Sequence, residues 1–228
     1  MTQKNSNIMG ILEEAGVMAI VELTSPYYPK LVQEFICNMS EDIDDTPSSH
    51  HHKVTFRNRT FDFSPRLIND HFGRPNGGGT GYNLRTSDIV KVLTAGVVDT
   101  WPDKGLPSSR LSVKYVVLYK VGVANWIPTT HNTSVFEALG KFLYMIGTGA
   151  SFDMGRVFFD QITQHATSHA VLKPILYPKM ICSILLSQHN DILTSDDVEG
   201  ADPGVITITP RLMEGTHVAD VPLGPQTE

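Results

Sequence analysis

The sequence predicts a mainly α-helical single domain with a small β-hairpin and a disordered acidic C-terminal tail. Three observations carry this reading. Apolar residues recur at spacings of three and four through much of the first 189 residues, as on helices with one buried face. Between residues 53 and 63 the period falls to two, with Val54, Phe56, Phe61 and Phe63 alternating with polar neighbours, as in a half-buried hairpin. From residue 190 onward there are eight acidic residues against one basic residue, Arg211, with Pro and Gly scattered among them. Such a composition buries too little apolar surface to offset the entropy of ordering. The chain therefore divides into a disordered N-terminus (1–7), a helical domain (8–189) and an acidic disordered tail (190–228).

The elements follow in order. From Pro26 to Ser40, Tyr28, Leu31, Val32, Phe35, Ile36 and Met39 form one helical face, with Pro29 tolerated in the first turn. Glu41 to His52 reads as an exposed loop, and Arg57-Asn58-Arg59 as the turn of the hairpin. Ser64 is an N-cap, Pro65 an N1 proline and Gly73 a C-terminal stop for the short helix between them. Residues 74–83 are a glycine-rich loop, and Thr86 or Ser87 caps a helix running to about Leu93. Leu111 to Val123 is a helix or a buried strand, because its apolar residues are too continuous for periodicity to decide. Ile127-Pro128 forces an extended entry with Trp126 packed beneath it. Ser134-Val-Phe-Glu137 is a capping box opening a helix that ends at Gly147. Further helices are expected from about Phe152 to His169 and from about Pro178 to Gln188.

Composition narrows the function classes. At 228 residues and 41% hydrophobic, the chain suits one sizeable soluble domain. The net charge of −6 is unevenly placed: the tail contributes −7, and residues 1–189 hold 16 acidic and 17 basic residues, or +1. The folded part is thus near neutral, and the whole-chain acidity is weak evidence against a polyanionic partner. No run of 18 apolar residues is present, so no membrane span is expected. The N-terminal apolar stretch follows Glu13 and Glu14 rather than a basic region, so the expected compartment is intracellular, cytoplasm or nucleus, and not secreted. Cys37 and Cys182 both lie in apolar helical patterns and are expected as two buried free thiols.

Candidate chemistry is sparse. The glycines at 77–79 and 81 lack the Lys-Ser/Thr and helix of a phosphate-binding loop, so they read as a linker. His165 and His169 have the four-residue spacing of a metal pair. Ala166 stands where a zinc hydrolase needs glutamate, and a solvated helix end is the favoured reading. His50-His51-His52 reads as loop composition. There is no Gly-x-Ser-x-Gly elbow and no recognisable catalytic cysteine, so neither a catalytic residue nor a cofactor is assigned and the chain is read as non-enzymatic. For nucleic acid, the best patch is Lys53, Arg57, Arg59 and Arg66, with Arg74 and Arg85 beyond, interleaved with Phe56, Phe61 and Phe63. The competing reading is favoured: the phenylalanines form the hairpin's buried face and the arginines its solvated one.

Five segments, taken in order, resemble a plant family. They are PYYPKLVQEFICNM, VTFRNRTFDFSPRLINDHFGRP, NWIPTTHNTSV, FLYMIGTGASFDMGRVFFDQI and LKPILYPKMICSILL, spanning Tyr27 to Gln188. Together they are similar to the plant transposon protein domain of retrotransposon-derived reading frames, some labelled envelope-like, particularly in legumes. The resemblance implies origin in a long-terminal-repeat element and supplies no catalytic residues. The expected partners are further copies of the chain or other retroelement proteins. The runner-up is a nucleic-acid-associated factor of the element using the basic face of the 53–63 hairpin. An envelope role would call for a signal peptide, a fusion segment and a membrane anchor, none of which is read here.

Overall fold

The computed structural model describes residues 8–23, 26–77, 84–126, 133–167 and 175–200. Among these residues the architecture is helical with one β-hairpin, as the patterning predicts. Proline and serine set several helix starts. α3 (Pro29–Cys37) begins on its proline and buries Leu31, Val32 and Phe35. α4 (Pro65–His71) is capped by Ser64, whose Oγ accepts from the Leu67 N–H at 3.1 Å, and Gly73 follows in the left-handed region at φ 63°. Before α3 lie α1 (Ile8–Glu14) and α2 (Met18–Val21), two short helices to which the periodicity gave no boundaries.

β1 (Lys53–Phe56) pairs antiparallel with β2 (Arg59–Asp62), Val54 opposite Phe61. The connection is the two residues Arg57 and Asn58, at φ 50° and 58°. Two consecutive left-handed residues match the right-handed twist of the strands, which is why tight hairpins use this turn. Val54, Phe56, Phe61 and Phe63 are all buried, so one face of the hairpin is core.

The rest of the domain is α5 (Thr86–Leu93), α6 (Val113–Asn125), α7 (Glu137–Thr148), α8 (Met154–Thr167) and α9 (Pro178–Gln188). The 111–123 ambiguity resolves as helix: Tyr115 to Tyr119, Val121 and Gly122 of α6 are buried, and a helix covered on nearly all sides leaves no polar stripe to read. Two adjacent residues of α8 join the halves of the core. Phe159 packs with Phe63, itself edge-on to Phe35 of α3. Phe158 packs with Phe142 of α7 and with Tyr177, and Phe142 in turn meets Trp126 edge-on at 4.9 Å between centroids.

Several expectations are corrected. The capping box at Ser134 does not form. β3 (Leu106–Pro107) pairs with β4 (Ser134–Val135), so Ser134 is held in a ladder, and α7 starts at Glu137 with no side-chain cap. The Glu137 carboxylate instead meets Lys141 at 2.8 Å and accepts from the Thr86 hydroxyl at 3.1 Å; Thr86 is the first residue of α5 rather than its cap, and Arg85 at the cap position has no acceptor to offer. α7 runs past Gly147, which packs against the Tyr115 ring, and stops at the left-handed Gly149. Cys37 is exposed at the end of α3, and only Cys182 is buried. Residues 190–200, expected as the start of the unstructured tail, lie against the domain, with Ile192 buried. Residues 201–228 and 1–7 lie outside the described residues, as do Pro128, His131 and Gly78 to Gly81. No helix among the described residues is long and apolar enough to cross a membrane.

The α4–α8 contact depends on a missing side chain. Asn69 of α4 is buried; its Oδ1 accepts from the Gly155 N–H at 2.7 Å and its Nδ2 donates to Asp153 at 2.8 Å. A Cβ on Gly155 would overlap the Pro65 carbonyl and crowd this amide. Gly155→Ala should therefore destabilise the domain by about 1–3 kcal/mol through overpacking, read as a lower urea midpoint; an unchanged midpoint would show that α4 can retreat freely.

Candidate functional site

The hairpin turn aims Arg57 across the end of α3. A bulky residue in the left-handed region stores roughly 1 kcal/mol or more of strain, so the surroundings must hold it there. They do so through its side chain. The Nε–H donates to Glu34 Oε2 at 2.6 Å, and Nη2 donates to Glu34 Oε1 at 2.9 Å and Asp197 Oδ1 at 2.8 Å. Nη1 donates to Asp197 Oδ2 at 2.7 Å and to the Ile192 carbonyl at 3.0 Å. All five guanidinium N–H groups are thus used, the full capacity of the side chain. Both carboxylates are gripped by two donors each, the geometry in which arginine surpasses lysine.

The third partner comes from the segment after α9. Thr194 to Asp197 is a tight turn, with the Asp197 N–H donating to the Thr194 carbonyl at 3.1 Å. The Thr194 N–H and hydroxyl both donate to Asp197 Oδ2, at 2.7 and 3.0 Å. The Asp197 side chain has no exposed surface, against 13% for Arg57 and 33% for Glu34. Hydrogen bonds from Arg57 hold both carboxyls below the usual carboxylate range, opposed by desolvation, and the same pairing raises the guanidinium further above its already high value.

Around this cluster the contacts are looser. Arg59 meets Asp191 at 2.6 Å and Lys30 meets Asp196 at 3.3 Å, both pairs well exposed. Gln188 fixes the end of α9 to β2: its Oε1 accepts from the Asp62 N–H at 2.9 Å and its Nε2 donates to the Asp62 carbonyl at 3.0 Å, filling one position of an edge ladder. The Gly200 N–H donates to the Tyr27 carbonyl at 2.7 Å. Beneath, the Tyr28 N–H donates to Cys182 Sγ at 3.2 Å, and burial pushes that thiol up to about 11, leaving it protonated and unreactive at neutral pH. A cavity of about 430 Å³ lies between Lys30, Arg57 and Arg59 on one side and Asp191 to Asp196 on the other.

The residues proposed for nucleic acid therefore separate. Arg57 and Arg59 are joined to carboxylates of the C-terminal segment, Arg66 pairs with Asp70 one turn along α4 at 3.5 Å, and Lys53 is exposed at the start of β1. A second cleft, about 390 Å³, is lined by His52, Asp62, Arg66, Asp70 and His71. His71 Nε2 lies 2.8 Å from Ser183 Oγ, and burial pushes the imidazole below its ordinary value, so it is neutral at pH 7. His165 sits half-buried on α8, and His169 lies outside the described residues. Among the described residues no group of three or more His, Cys, Asp or Glu side chains could hold a metal. Sequence reasoning placed Arg57 but not Glu34, Thr194 or Asp197. The one local signal was Thr194-x-x-Asp197, the spacing at which a threonine and an acid bond reciprocally.

One family model, described as "Putative plant retrotransposon-related domain", matches residues 13–191. Searches of curated proteins and of solved structures find no match.

Two outcomes follow from the cluster. Arg57→Ala removes the cation between two carboxylates, leaving only the more distant Lys30 near Glu34, and should lower unfolding free energy by roughly 3 kcal/mol, the low end for a broken buried pair because Glu34 is partly exposed. Arg57→Lys keeps the charge but not the fork and should recover only part of this; full recovery in urea unfolding would show that charge alone suffices. The second outcome concerns acid. Because both carboxyls are depressed in the fold, their contribution is complete above the unfolded value near pH 4 and is lost as pH falls below it. The wild-type midpoint should be flat from pH 8 to about pH 5 and then fall, with a shallower fall in Arg57→Ala. Equal slopes in the two proteins would remove the cluster as the cause.

Proposed function

The chain belongs to the plant retrotransposon-related family, and on that premise we propose that it is a non-enzymatic structural or interaction protein of a retroelement. One observation supports this over the other readings. The most elaborate polar constellation among the described residues is a peptide seat, in which Arg57 spends all five N–H groups on protein oxygens. A nucleic-acid face keeps its arginines for phosphate and bases. A catalytic site converges nucleophile, base and an oxyanion donor on open space. Here the guanidinium converges on the chain's own carboxylates, and in the second cleft Arg66 lies against Asp70 while His71 is paired with Ser183 of α9.

The competing reading makes the hairpin a nucleic-acid surface through Lys53, Arg57, Arg59 and Arg66. Phosphate binding by those residues would be steeply salt-dependent. The full-length protein is expected to leave single- and double-stranded nucleic acid unshifted in a low-salt gel. A shift that disappears as salt is raised, and that weakens in Arg59→Ala, would replace the proposed reading with the competing one.

A further inference from the structure

Residues 190–200 are held as a bound peptide is held. They leave α9 through His189 and Asn190, beyond the point where Gln188 is fixed to Asp62, and cross the tip of the hairpin. Their side-chain anchors reach residues more than a hundred positions away: Asp191 on Arg59, Asp196 on Lys30 and Asp197 on Arg57. Ile192, 5% exposed, is the apolar anchor, and the Gly200 N–H closes the far end on the Tyr27 carbonyl. The charges are complementary as sets. The seat offers Lys30, Arg57 and Arg59 around the single Glu34, and the segment carries Asp191, Asp196, Asp197 and Glu199. Such complementarity speeds encounter and fixes register.

A seat that fits this segment fits the identical segment of another copy, with the same contacts. We propose that the groove between α3 and the hairpin is a self-association site, filled reciprocally by residues 190–200 of a second copy of this chain. The proposal rests on the interaction-protein reading and specifies its partner. Exchange keeps the contacts of the seat and gives up only those that cross the exchange point, such as the Ile192 N–H on the His189 carbonyl. The balance is therefore between the local concentration of a chain's own segment and the concentration of other copies. A segment tethered by a few residues is presented at on the order of millimolar, so the chain satisfies itself in dilute solution and exchanges where copies are crowded.

Charge reversal separates the two arrangements. In full-length Arg57→Glu the seat repels its own segment, and in full-length Asp197→Arg the segment is repelled by its own Arg57. Mixed, the two are complementary in both directions: the unaltered Asp197 of the first meets the unaltered Arg57 of the second, and the two substituted side chains meet each other beside Glu34. Each variant alone is expected to be monomeric by light scattering and to be cleaved rapidly within residues 190–200 by a protease. The mixture should give a species of about twice the mass with that segment protected. The double variant should regain protection alone, and the wild type should dimerise only on approaching millimolar concentration.

Single variants that keep their helical circular dichroism and release the segment, yet form no mixed dimer, would overturn the proposal. So would a segment that stays protected in both singles. If either variant fails to fold, the exposed pair Arg59→Glu and Asp191→Arg repeats the experiment away from the buried cluster, with weaker pairing expected and no mixed dimer as the contrary result. Nucleic-acid binding by the wild type would defeat the functional reading while leaving the mixing result to be read on its own.

Discussion

The guanidinium of Arg57 stands where three parts of the chain meet: the carboxyl-terminal half of α3, the tip of the hairpin and the segment that follows α9. Each depends on the other two through it. The turn keeps a non-glycine residue in the left-handed region, a conformation that persists only when contacts elsewhere hold it. Glu34 is half-buried beside a second carboxylate and is tolerable there only because a cation lies between them. Residues 190–200 offer one buried apolar side chain, Ile192, and one partly buried, Leu193, too little to hold eleven residues in place by hydrophobic burial alone. Five charge-assisted hydrogen bonds at one centre supply what the local sequence of each part lacks.

The domain beneath provides a rigid base for this junction. Phe158 and Phe159 of α8 tie the Trp126–Phe142–Tyr177 cluster to the Phe35–Phe56–Phe63 cluster, so α3 and the hairpin are fixed relative to α7 and α9. Gln188 then aligns the last turn of α9 with β2, which sets the direction in which the following residues leave. The uneven charge of the sequence acquires a structural meaning. Of the eight acidic residues after position 189, Asp191, Asp196 and Asp197 are spent on Arg59, Lys30 and Arg57. The near-neutral domain and residues 190–200 are joined electrostatically at these three points.

Much of the fold was legible because it is encoded locally. Ser64-Pro65 and Gly73 bound α4, Pro178 and Gln188 bound α9, and the alternating phenylalanines identified the hairpin and its buried face. Errors arose where a residue was claimed by something distant. Ser134 has the chemistry of a cap but is paired with Pro107, and Gly147 has the look of a stop but is packed on Tyr115. Cys37 is a different case: it lies in an apolar pattern yet faces solvent. The site was legible only in half. The basic face of the hairpin could be read, since it lies within seven residues. Its partners are 23 positions away at Glu34 and 140 away at Asp197, and no periodicity links residues at such separations.

The central claim is that residues 190–200 are part of the folded protein because Arg57 holds them. Amide hydrogen exchange on the dilute wild-type chain tests it most directly. The N–H groups of Thr194, Asp197 and Gly200, each donated to a protein oxygen, should exchange far more slowly than in a free peptide of the same sequence, and Arg57→Ala should abolish that protection while leaving α7 and α8 protected. Exchange at the free-peptide rate in the wild type would contradict the account.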